Sequence, residues 1–72
     1  MNLPDSARTQ LLECLAELSA LRPEWRLGQT LSNIAMMAGR TDSGAVWELE
    51  DEEALAAARE LIHQYAPEAA LA

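Results

Sequence analysis

The segment RPEWRLGQTLSNIAMMAGR, Arg22–Arg40, decides how many helices the chain has. Pro23 pushes the residue before it out of the α region, so a helix running into Arg22 must stop there. Gly39 is the residue type that most readily closes a helix C-terminus. Between the two, Leu27, Leu31, Ile34, Ala35 and Ala38 recur at helical spacing. The spacing predicts a separate helix over residues 27–38, with these five side chains on its inner face.

Working outward, Ala7, Leu11, Cys14, Leu15, Leu18 and Leu21 fall on one stripe and predict a helix over 5–21, with Pro4 and Asp5 at its start. Downstream, RTDSGA at 40–45 reads as a turn. Val46, Trp47, Glu48 and Leu49 then alternate as a short extended link, Trp47 and Leu49 on the side opposite Val46. A third helix is predicted over 51–65, burying Ala54, Leu55, Ala58, Leu61, Ile62 and Tyr65. Pro67 stops it, and residues 67–72 read as a frayed tail. The expectation is an all-α, compact three-helix domain over residues 1–72, with a short extended link before the third helix. Leu11, Leu15, Leu18, Leu31, Ile34, Leu55, Ala58 and Ile62 should form one core.

That core must be economical. The chain has 72 residues, near the lower size at which a domain buries enough surface to fold alone, and it has no Phe. Trp25, Trp47 and Tyr65 are its aromatic residues. Pairing of two copies would supply further burial, and the first helix offers a face for it. Leu12 lies about 100° from Leu11, beside Ala16 and Ser19, so a homodimer through this helix is expected. A single cysteine, Cys14, excludes an intramolecular disulfide and suits a reducing cytoplasm. The first residues have no basic region of the kind that opens an export signal, and no apolar run approaches the roughly 20 residues that span a bilayer. The net charge is −7, with twelve acids, five arginines and no lysine. Such a balance argues against direct binding to nucleic acid or to anionic membranes. Charged partners should be basic.

The face of the second helix opposite its apolar stripe carries no acid. At 100° per residue, Arg26, Gln29, Asn33, Met36 and Arg40 fall within an arc of roughly 80°. This ridge of arginines, carboxamides and a thioether can exchange hydrogen bonds, grip an anion bidentately and adapt its shape. On one reading it recognises a partner or a small anion. On the other, Gln29 and Asn33 are structural, bonding the backbone of the Val46–Leu49 link, while the arginines lean on acids near Glu50. We expect the structural role for Gln29 and Asn33, with Arg26, Arg40 and Met36 as the contacts to a partner.

In the run ELEDEE, Glu48, Glu50, Asp51, Glu52 and Glu53 form an acidic helix start, favoured by the macrodipole. The run lacks the alternating pattern of a calcium loop, so no metal is expected. No cofactor and no catalytic residues are expected either. His63 faces outward on the third helix, Cys14 sits in a buried stripe where a thiol is held neutral, and Gly28, Gly39 and Gly44 are too scattered for a phosphate loop.

The combination of Arg26-Leu27-Gly28-Gln29, then Asn33, then Trp47-Glu48-Leu49-Glu50-Asp51-Glu52-Glu53 resembles a group of short bacterial proteins to which no activity is attached. The likeness spans roughly Arg22 to Leu61. It implies that the ridge, the Trp47 link and the acidic helix start act as one unit, without naming a reaction. Two functions follow from the sequence. The first is a small acidic protein-interaction module, such as an adaptor, inhibitor or accessory factor, and not an enzyme. The second is a small-molecule or anion-binding domain built on Arg26, Gln29 and Asn33.

Overall fold

The computed structural model describes residues 6–42 and 44–66, and three helices: α1, Ala7–Leu21; α2, Leu27–Met37; and α3, Asp51–Tyr65. The expected first-helix start at Pro4 and Asp5, and the expected tail from Pro67, lie outside the described residues. Ser6 caps α1, its hydroxyl oxygen accepting the Thr9 N–H at 3.2 Å. At the other end the Arg22 N–H closes the last turn on the Leu18 carbonyl at 2.8 Å.

Gly39 ends α2 as the sequence implies. With φ at 89° it takes the left-handed conformation, donating its N–H to the Met36 carbonyl while the Arg40 N–H reaches the Ala35 carbonyl, both at 2.9 Å. These two bonds are the paired closure of a Schellman cap. The chain is thereby turned sharply at Arg40, and its side chain meets α3.

α3 packs against both other helices, which touch each other least. Its small residues Ala54, Ala57 and Ala58 let the neighbouring backbones come close, and the core joins them to Cys14, Leu18, Ile34, Leu55 and Leu61. Leu11, Leu15 and Ile62 are half-buried against this cluster, as are Met37, Ala38 and Leu49. Arg8 paired with Asp51 places the starts of α1 and α3 together, and Trp25 against Tyr65 places the start of α2 beside the end of α3. α2 therefore runs antiparallel to α3.

Three expectations about facing are corrected. Leu27, assigned to the inner face of α2, is 60 % exposed, and Leu31 is half-buried outside the core cluster, whereas Thr30 is fully buried. At this end Trp25 occupies the space against α3, so the buried face turns toward Thr30 and Met37. Thr30 tolerates burial because its hydroxyl donates to the Arg26 carbonyl one turn back, at 3.4 Å. Tyr65, assigned to the buried stripe, lies at the rim of α3 with 37 % of its surface exposed.

The Val46–Leu49 link is not extended. Residues 44–48 form turns, with the Ala45 N–H donating to Asp42 O and Glu48 N–H to Gly44 O, both at 3.1 Å, and Leu49 N–H to Val46 O at 3.3 Å. A lone extended segment needs a strand beside it to take its backbone groups, and the described residues contain none. The segment satisfies itself by folding back. Leu49 is drawn onto the core, and Val46 and Trp47 are left outside.

Candidate interaction surface along the second helix

The polar ridge of α2 divides into three parts. Gln29 is exposed, and its carboxamide oxygen accepts the Arg26 N–H at 2.7 Å, capping the start of its own helix. The burial and the bond to the Val46–Leu49 backbone expected of Gln29 are replaced by this exposed, local contact, because the turn has bonded its own groups. Arg26 is exposed and, among the described residues, has no carboxylate within ion-pair distance. Asn33 and Met36 lie a turn further on, at the edge of a groove.

Arg40 belongs to none of these three. Its guanidinium clamps the Glu53 carboxylate with Nε at 2.7 Å and a second nitrogen at 3.1 Å. Expected as an outward contact, it instead leans on the acidic helix start, because the glycine cap aims it there. Glu53 is the third residue of α3 and also accepts the Glu50 N–H at 3.5 Å. The bond from Arg40 holds the Glu53 carboxyl below its ordinary pKa and raises that of the guanidinium. The clamp ties the end of α2 to the start of α3. Of the other acids, Asp51 pairs with Arg8 at 2.9 Å, while Glu48, Glu50 and Glu52 are exposed.

The groove between α2 and α3 has a volume of about 410 Å³ and is lined by Trp25, Asn33, Met36, Met37, Leu61, Gln64 and Tyr65. Its far end is built by an aromatic corner. Trp25 and Tyr65 meet edge-to-face with centroids 5.4 Å apart, and the Arg22 guanidinium carbon lies 4.7 Å from the Tyr65 centroid and 5.4 Å from that of Trp25. Arg22 is anchored in turn by Glu24 at 2.5 Å. Beyond Met37 the groove continues into a hollow of about 290 Å³ lined by Ala38, Glu53, Ala56, Ala57 and Glu60. Neither Arg26 nor Gln29 lines either part, so the three residues of the proposed anion site are not gathered in one cavity.

On its other side α2 meets the turn. A hollow there of about 280 Å³ is lined by Ser32, Ala35, Met36, Arg40, Ala45 and Val46, among others. Met36 thus stands between the two concavities, 54 % exposed, with Tyr65 and Trp25 on one side and Val46 on the other. Trp47, which follows Val46, is 92 % exposed. Single exposed apolar residues are ordinary, but a Met, a Val and two aromatic rings around one helix form a patch.

Catalytic chemistry is sparse among the described residues. Cys14 is buried, and desolvation pushes its thiol pKa up, so it stays protonated. His63 is exposed. Among the described residues no three His, Cys, Asp or Glu side chains converge to hold a metal ion, and no helix is long and apolar enough to cross a membrane. Sequence reasoning missed the aromatic corner, whose members come from positions 22, 25 and 65. Comparison of the chain with protein-family models, with curated proteins and with solved structures finds no match.

Proposed function

We propose that the chain is a small acidic protein-interaction module that takes a protein partner across the outer side of α2. The observation that carries this reading is the exposed patch centred on Met36, flanked by the Trp25/Tyr65 corner and by Val46. Aromatic residues and Met are enriched at the centres of protein interfaces, and Met adapts its shape to what it meets. Burying this patch removes apolar surface from water that folding alone leaves wet. Arg26, exposed at the start of α2, is placed to contact the partner at the rim, whereas Arg40 serves through its clamp on Glu53. A cytoplasmic setting fits the free Cys14 thiol.

The reading is tested by placing a photo-crosslinking amino acid at Met36 or Val46 and, as a control on α1, at the exposed Leu12, in the native host. One shared adduct from Met36 and Val46, absent from Leu12, supports the module. Equal adduct patterns from all three positions overturn it.

A further inference from the structure

The groove that runs along α2 and α3 has a shape and a charge of its own. From the Trp25/Tyr65 corner it passes Asn33 and Gln64, crosses Met37 and Leu61, and ends at Ala56, Ala57 and Glu60. Its floor is thioether, leucine and alanine. Its charged lining consists of two carboxylates, Glu53 and Glu60, and the first is already held by Arg40. Glu60 is exposed and, among the described residues, has no cationic side chain within ion-pair distance.

We infer that this groove docks an amphipathic helix of a partner protein, its apolar stripe laid on Met36, Met37 and Leu61 and a basic side chain set against Glu60. The inference rests on the reading of this side of the molecule as a protein interface. Three features select that occupant. The described residues offer no strand edge, so an incoming segment finds no ladder of backbone donors and acceptors and must satisfy its own backbone, as a helix does. The eleven residues of α2 give a helix about 16 Å long, so three turns of partner helix match the groove from end to end. Charge then sets the sign. The acidic end of the groove and the net charge of −7 favour a basic helix, and they set two copies of this chain against each other. Docked in this way, the partner supplies the fourth helix of a bundle, with α2 and α3 as its neighbours.

The test uses two synthetic helical peptides titrated into the isotope-labelled full chain and followed by amide chemical shifts. Both carry leucine at helical spacing along one face. The first has lysines beside that stripe and the second has glutamates. The expected result is that the lysine peptide shifts the amides of α2 and of Ala56, Ala57, Leu61 and Gln64, and binds at least about tenfold more tightly than the glutamate peptide. Met36→Asp, at an exposed position, should weaken the lysine peptide by about tenfold or more, and Glu60→Lys should narrow or reverse the preference between the peptides. If the glutamate peptide binds the same amides as tightly, the basic partner is wrong while the interface reading stands. If neither peptide moves the groove amides, the helix docking is overturned, and the interface reading is decided separately by the crosslinks from Met36 and Val46. Shifts confined to Glu50–Glu53 would reduce the effect to charge attraction and overturn the docking. Groove shifts that grow with protein concentration alone would make the occupant a second copy, and overturn the inference too.

Discussion

Ile34→Ala tests the packing of α2 most sharply when set beside Leu27→Ala. Ile34 is fully buried in the core, so truncation strips three carbons from an apolar site. At about 0.8 kcal/mol per methylene this removes roughly 2.4 kcal/mol of transfer free energy, and the cavity left behind raises the loss to about 3–4 kcal/mol. Against the total of about 4–11 kcal/mol ordinary for 72 residues, that is between about a quarter and all of the stability. The melting temperature should fall by roughly 12–30 °C. Leu27, at 60 % exposed, makes the same chemical change at less than half the burial. Alanine is also the better helix former, so Leu27→Ala should cost under about 1 kcal/mol. Circular dichroism at 222 nm, recorded through heat and urea transitions, measures both. A loss at Leu27 equal to that at Ile34 would refute the rotated face of α2, and an Ile34→Ala protein melting within a few degrees of the parent would refute the core.

The Arg40–Glu53 clamp makes stability depend on acid. Glu53 has a folded-state pKa below its unfolded one, so its contribution is complete above the ordinary glutamate value of about 4.3 and is lost as pH falls through the depressed value. Urea midpoints measured down the acid range should therefore drop less steeply in Glu53→Gln than in the parent. Gly39→Ala meets no atom within 4 Å, so its cost comes from the backbone conformation alone, about 1–2 kcal/mol, readable as a lower urea midpoint with unchanged slope. Cys14, buried with a raised thiol pKa, should react with a disulfide reagent at pH 8 only as fast as the domain opens, and at the full rate in urea.

The punctuation of the fold was legible in the sequence because single residues force it. Pro23 separates α1 from α2, Gly39 closes α2, and the acids at 51–53 sit where the dipole of α3 favours them. Facing was less legible. Hydropathy ranks Leu27 above Thr30, yet Thr30 is the buried one, since its methyl meets the interior while its hydroxyl returns to the Arg26 carbonyl. Residues Val46–Leu49 alternate like a strand, and only the lack of a neighbouring strand among the described residues, a tertiary fact, decides against one. Of the ridge, Met36, expected to face outward, lines the groove, whereas Asn33, expected to fasten the Val46–Leu49 segment, lines the groove instead. Gln29, three residues after the N-cap, carried a readable signal of the local cap it makes. The pairing of Arg22 and Trp25 with Tyr65 spans some forty positions, and no periodicity reports such a contact.

Hydroxyl-radical footprinting of the protein in host extract, compared with the purified protein, reads the proposed interface directly. Met36 and Tyr65 are exposed and oxidisable in the isolated domain, and Leu12, also exposed, lies on α1 away from the groove. The partner excludes water from the patch it covers, so the oxidation of Met36 and Tyr65 relative to Leu12 should fall by about threefold or more in extract. An unchanged ratio in extract would contradict a partner on the outer side of α2.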